Sequence, residues 1–276
     1  MARQPWAYTR SGGRAAADAL KFLYETGQIR REEDKERDMK ISLFIPCYVD
    51  QLKPEIGFAV AEVFQGLGHE VDVPPDQTCC GQPALNTGYN DEAREVAAHF
   101  LKVFAGCEAV VTPSGSCAAM VKHFYVELFK DRPEEEAARA MAAKTWEFSE
   151  FLVDVLKVKD LGARFPHKVT IHDGCHGLRE LKIQHQPRSL LRAVKDLELV
   201  EMREARSCCG FGGTFAVKFP KISTSMAQVK CASAKETGAE YIVSNDPSCM
   251  LQIQGYLDHE KIPMTCLHLA EVLVKR

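Results

Sequence analysis

Long apolar runs are missing from this chain. None approaches the roughly 20 residues that a bilayer-spanning helix needs, so no transmembrane segment is expected. The N-terminal stretch MARQPWAYTRSGGRAAADALKFLYETGQ lacks the continuous apolar core of a signal peptide, which places the chain in the cytoplasm. Charge of one sign is missing as well. With 35 Lys and Arg against 38 Asp and Glu, the net charge is only −3, and no electrostatic footprint for nucleic acid or an anionic membrane surface is present. There is no GxGxxG fingerprint and no P-loop, so a nicotinamide, flavin or nucleotide site has no support.

Cysteine is what the chain has in plenty. Eleven occur in 276 residues. With 46% apolar residues the chain can build a sizeable core, and the fold does not depend on disulfide staples. In a reducing compartment such thiols ligate metals or carry redox chemistry more often than they form structural disulfides.

Residues 1–39 differ from the rest. A short helix is expected from Ala15 to Thr26, followed by RREEDKERD, a mixed-charge run that reads as a solvated helix end or linker. Regular apolar patterning begins at Met39–Lys40–Ile41.

From Ile41 onward the chain repeats itself. The strand ISLFIPC ends in Cys47, and the helix PEIGFAVAEVFQGLG places Ile56, Ala59, Val60, Val63, Phe64 and Leu67 on one face. The strand HEVDVP precedes Cys79–Cys80–Gly81, a helix covers about Asp91 to Phe104, and EAVVTP leads to Cys117. The second stretch runs in the same order: KVTIHDGC with Cys175, a helix over about Pro187 to Val194, LELVEM, then Cys208–Cys209–Gly210. A helix from about Lys221 to Thr237 follows, then AEYIVS and Cys249. The offsets are 128 (47 to 175), 129 (79 to 208) and 132 (117 to 249). The closing segments EFSEFLVDVLK and CLHLAEVLVKR also look related, and both read as helices.

This order predicts an α/β fold of two tandem pseudo-symmetric repeats, each a small parallel sheet covered by helices, after an N-terminal extension. The repeats are expected at 40–160 and 161–276, with the boundary in the Asp131–Lys144 stretch or in the loop near Asp160 to His167. Parallel strands share a carboxyl edge, where open α/β sheets bind ligands. Cys47, Cys79, Cys80 and Cys117 should therefore converge, as should Cys175, Cys208, Cys209 and Cys249.

The adjacent pairs narrow the chemistry. Neighbouring Cα atoms lie about 3.8 Å apart, closer than the roughly 4.4–6.8 Å that disulfides prefer. Tetrahedral zinc favours cysteines two to four residues apart, whereas a cluster offers separate irons to adjacent thiolates. Cys117 and Cys249 open helices, whose N-termini stabilise thiolates. Cys107, Cys231 and Cys266 have no counterpart in the repeat and read as buried core residues. His172 and His176 flank Cys175 and are candidates to tune or ligate the site or to move protons, although a loop histidine more often only forms hydrogen bonds. Asp173 and Asp246 read as caps, and Arg179 and Lys218 as cations that could attract an anionic substrate.

FIPCYVDQLKPEIG, TCCGQPALNTGY, PSGSCAAMV, HDGCHGLRE, CCGFGGTFAVK and DPSCMLQIQG together resemble the CCG (cysteine-rich) domain family, over about residues 40–276. The likeness is greatest to its lactate-utilisation protein A branch. That resemblance implies an iron–sulfur protein, of the four-iron four-sulfur type, with one or two clusters held by the eight repeated cysteines. It also implies electron transfer in the oxidation of L-lactate to pyruvate, beside partner subunits that include a second iron–sulfur protein. Glycolate oxidase and heterodisulfide reductase systems carry related subunits. The heterodisulfide reductase pattern ends in CxxC, whereas this chain has Met120 and Gln252 at those positions; the departure favours four-cysteine clusters. A zinc-holding structural or assembly module and a thiol–disulfide enzyme are the competing readings.

Overall fold

The computed structural model describes residues 39–276. The helix expected over Ala15 to Thr26 and the charged run after it lie outside these residues. Among the described residues, eight strands form two four-stranded sheets.

In the first sheet β1 (Lys40–Leu43) and β3 (Ala109–Thr112) are central, flanked by β2 (Glu70–Asp72) and β4 (Thr145–Glu147). In the second, β5 (Lys168–His172) and β7 (Tyr241–Ser244) are central, with β6 (Glu198–Leu199) and β8 (Thr265–His268) outside them. The orders are β2-β1-β3-β4 and β6-β5-β7-β8, so the topology is the same in both, and every pairing is parallel. The central strands are almost wholly buried, as strands covered on both faces are. HEVDVP and LELVEM contribute only three and two residues of strand, because they lie at the sheet edges and stay partly exposed.

The fourth strand of each sheet was not expected. The closing segments, read as helices, each begin inside a short strand. In each, the last strand residue then caps the helix that follows. Glu147 accepts from the N–H groups of Ser149 and Glu150, and His268 accepts from that of Ala270. In return Glu150 and Glu271 accept from the backbone N–H of Glu147 and His268. Both are capping boxes.

One apolar cluster runs through both halves. Ile41, Val60, Phe64 and Phe148 from the first share it with Val169, Leu190 and Leu269 from the second, and all are at most 1% exposed. At about 1.5–3 kcal/mol per buried side chain of this size, this shared core holds the two sheets in a fixed relation. No helix among the described residues is long and apolar enough to cross a membrane.

Glu147 gives this region a pH signature. It is fully buried, its Oε1 has no partner among the described residues, and burial pushes its carboxyl up to about 7 against the hydrogen bonds from Ser149 and Glu150. The folded state therefore keeps a proton that the unfolded chain releases above about 4.5. Stability from this group is present below that value and is lost as pH rises through about 7. Buried His172 and His268, both lowered to about 3 by burial, act in the opposite sense below about 6.5. The Glu147 contribution is therefore read as a difference. Glu147→Gln should gain on the wild type by up to roughly 3 kcal/mol between pH 5 and 7.5, measured by denaturant midpoints. A constant difference across that range would refute it.

Candidate metal centre

Parallel pairing sends the carboxyl ends of β1, β2 and β3 to one edge, and the cysteines follow. Cys47 begins the Cys47–Leu52 helix just after β1. Cys79 and Cys80 lie in the loop beyond β2. Cys117 is the third residue of the Gly115–Ala119 helix, whose N-cap Ser114 accepts from the Cys117 N–H at 3.3 Å. The second half repeats the plan. Cys175 begins the Cys175–Arg179 helix, Cys208 and Cys209 follow β6, and Cys249 is third in the Pro247–His259 helix capped by Asp246.

All eight thiols line a single cleft of about 770 Å³, open mouth included, between the two sheets. Tyr48, Gln82, His176, Phe211 and Asp246 complete much of its wall. Several contacts across the halves hold it in shape. The Ser116 N–H donates to Asp246 Oδ2 at 2.8 Å, Gln82 Nε2 lies 3.0 Å from His176 Nδ1, and Tyr48 meets Phe211 edge-on at 5.4 Å.

Within the first set the Cys80 and Cys117 sulfurs are 3.6 Å apart, and Cys47 hydrogen-bonds Cys79. The Gly81 N–H also points at Cys79 Sγ, 3.4 Å away. Donated hydrogen bonds from Cys47 and Cys80 lower Cys79 to about 3, while Cys47 and Cys80 are pushed up by the bonds they make and by burial. In the second set Cys208 is lowered to about 2 by Cys175 and Cys209, which are raised in turn, and the Gly210 N–H lies 3.4 Å from its sulfur. Each set thus favours one thiolate, while Cys47 and Cys80, like Cys175 and Cys209, are held as thiols by the hydrogen bonds they make to neighbouring cysteines and by burial, with like charge adding to it. A cation at the centre of each set removes that conflict. Four soft sulfur donors fit an iron–sulfur cluster or zinc.

The turn between each cysteine pair and its next helix depends on glycine. Gly81 has φ +83° and Gly210 φ +91°. A Cβ on Gly81 would lie 3.3 Å from the Ala93 carbonyl oxygen, whereas one on Gly210 would meet the Ser223 carbonyl oxygen at 2.5 Å. Gly81→Ala should cost about 1–2 kcal/mol for the left-handed backbone. Gly210→Ala should cost about 1–3 kcal/mol beyond that for overpacking. Urea midpoints of the two metal-free variants test the order, and equal losses would contradict it.

The remaining expectations divide. Cys231 and Cys266 are buried in the outer core of the second half, and burial raises both thiols, Cys231 to about 12. Cys107 packs at the edge of the first half's outer core. Asp246 is a cap, as expected, and also reaches across to Ser116. Asp173 is not a cap: Gly174 occupies that position, and the Asp173 carboxylate is instead buried against Arg188. His172 is not in a loop, because β5 extends to include it and buries it completely. Arg179 and Lys218 are exposed and outside the cleft lining, so neither is placed to draw an anion into it.

Three neighbours of the site escaped sequence reasoning. Tyr125 is fully buried and donates to the Cys80 carbonyl at 2.8 Å. Lys230 and Arg188 are buried near the second set. No local spacing marks them, since each reaches its partner across the fold.

Comparison with known proteins agrees with this arrangement. The family model described as CCG, cysteine-rich domain, matches residues 41–122 and 169–254. The chain is 47% identical over 239 residues to "Lactate utilization protein A" of Geobacillus kaustophilus (strain HTA426), covering 86% of this chain and 100% of that protein. It is 46% identical to "Lactate utilization protein A 1" of Bacillus mycoides (strain KBAB4), covering 85% of this chain and 96% of that protein. Among solved structures, a hypothetical protein from Helicobacter pylori superposes with a TM-score of 0.60 at 11% identity, over 97% of this chain and 56% of that one. That last likeness concerns the fold alone.

Proposed function

The chain belongs to the CCG cysteine-rich domain family, and from that premise we propose that it is the iron–sulfur, electron-carrying subunit of a complex that oxidises L-lactate to pyruvate. The observation that carries the reading is the gathering of eight repeated thiols into two matched sets on one cleft. The names of the similar proteins supply the substrate.

Cys47, Cys79, Cys80 and Cys117 would hold one four-iron four-sulfur cluster, and Cys175, Cys208, Cys209 and Cys249 the other. Such a group, when bound, supplies one-electron transfer, and two of them match the two electrons that lactate oxidation releases. The chain's own part is to fix four thiolates per site, to shield them with Tyr48, Phe211 and the capped helices, and to leave an open mouth toward partners. Those partners include a second iron–sulfur protein. Eleven free thiols suit the reducing cytoplasm. The units are 40–160 and 161–276, one site each.

A second reading has one observation in its favour. Two thiolates on one tetrahedral ion, each about 2.3 Å from it, stand about as far apart as the Cys80 and Cys117 sulfurs at 3.6 Å. Zinc would satisfy that spacing. Anaerobically purified protein separates the two readings. Iron and acid-labile sulfide, with a paramagnetic signal that appears when L-lactate and the partner subunits are added, support the electron carrier. Stoichiometric zinc in colourless protein would sink it, and a signal driven by glycolate but not lactate would reassign the substrate.

A further inference from the structure

The two sites are alike in their cysteines and unlike in what stands behind them. Strand register relates Ile41 to Val169, since each pairs with the first residue of the neighbouring central strand, Ala109 or Tyr241. The same offset of 128 relates Phe44 to His172. In the facing helices, Gly81 lies against Ala93 and Val96 where Gly210 lies against Ser223 and Met226. That offset of 130 relates Phe100 to Lys230. The first half therefore has an edge-on aromatic pair, Phe44 and Phe100 with centroids 4.9 Å apart. The second half has an imidazole and an ammonium in its place.

His172 is completely buried, and neither of its ring nitrogens has a hydrogen-bond partner among the described residues. A buried polar group left in this state is destabilising unless something else satisfies it. The nearby Ala205 carbonyl does not relieve it. That oxygen already accepts from the Asp173 N–H at 3.0 Å and from Lys230 Nζ at 3.3 Å, which uses both of its lone pairs. What the imidazole does face is sulfur. One of its nitrogens, Cys209 Sγ and Cys249 Sγ all lie within 4.8 Å of one another.

We infer that His172 is a metal ligand of the second site, which thereby has five donors, four thiolates and one imidazole, where the first has four thiolates and a phenylalanine. The inference rests on the reading that the second set holds a metal. An imidazole binds metal through a nitrogen lone pair of its neutral form. Lys230 donates to the Ala205 carbonyl at 3.3 Å, so that oxygen is already engaged and does not compete with an ion for the ring. The two sites are therefore chemically distinct.

Full-length protein carrying ¹⁵N-histidine, loaded with iron and sulfide and reduced, provides the test by pulsed electron paramagnetic resonance. A strongly coupled nitrogen that changes from the ¹⁴N to the ¹⁵N pattern, and that disappears in His172→Phe, is the expected result. Phenylalanine already occupies the equivalent position as Phe44, so the variant suits the fold, and the labelled wild type gives its answer without any substitution. His172→Cys should keep the second-site iron and lose the nitrogen coupling. A spectrum free of histidine coupling in the wild type, or one unchanged in His172→Phe, overturns the inference. If the protein binds no iron, the iron reading has failed, and zinc-edge absorption decides the histidine question instead. A light-atom scatterer lost in His172→Phe supports the ligand, and a sulfur-only shell overturns it.

Discussion

Cys209→Ser protein should be purified anaerobically with half the iron of the wild type, Cys80→Ser protein likewise, and the double variant with almost none. Cys80 and Cys209 are the buried members of the adjacent pairs, 3% and 2% exposed, and each contacts the cysteine at the next strand end, Cys117 or Cys249. A serine oxygen is a poor partner for a metal that selects soft thiolate. The buried hydroxyl adds only about 1–3 kcal/mol if it goes unpaired, which leaves the shared core intact. Each set hangs from the strand ends of its own sheet, so loss of one leaves the geometry of the other. Electron flow from lactate should fall in either single variant by more than the roughly 10–100-fold typical of changes behind a metal ligand. Iron, sulfide and lactate-driven reduction are the measurements. Full iron in either single variant would remove that cysteine from the ligand set.

The repeat was readable because function placed the same rare residue at the same offsets, and because buried parallel strands leave unbroken apolar runs such as AVVT and YIVS. β4 and β8 were not readable for the opposite reason. Each is three or four residues long and runs directly into a capped helix, and the helical periodicity dominates the segment. The strand expected over KVTIHDGC already contains His172, and its pairing with Ser244 is what takes that ring out of the loop. The convergence of both halves on one cleft was not in the pattern either. Each repeat predicts where its own sheet edge lies, but the relation between the two edges comes from side chains that meet across the halves, such as Phe148 against His268 at 6.2 Å. No period in the sequence encodes which apolar faces will meet.

Arg188→Met should destabilise the protein by about 3–5 kcal/mol, the cost of leaving a buried charge without its partner. All five guanidinium N–H groups are engaged. Nη1 donates to Asp173 Oδ1 at 2.7 Å and to the Gln184 carbonyl at 2.9 Å, and Nη2 to Asp173 Oδ2 at 3.0 Å and Glu201 Oε2 at 2.9 Å. Nε donates to Glu201 Oε1 at 2.7 Å. Burial pulls the arginine's pKa down, and Glu201 and Asp173 together hold it above its ordinary value. The two acids are not equivalent. The Asp173 side chain is 2% exposed and that of Glu201 46%, so Glu201→Gln should cost no more than the roughly 0–1 kcal/mol of a surface pair. Asp173→Asn in the Arg188→Met background should recover much of the loss, because it removes the orphaned charge. Arg188→Lys should fall between, since an ammonium cannot reproduce two bidentate contacts. Denaturant midpoints give the energies, and second-site iron gives the functional consequence, because Asp173 sits two residues before Cys175 and its backbone N–H is tied to the Ala205 carbonyl. An Arg188→Met protein within 1 kcal/mol of the wild type would show that water reaches Asp173 and solvates it, and the arginine would then be dispensable to the second set of thiols.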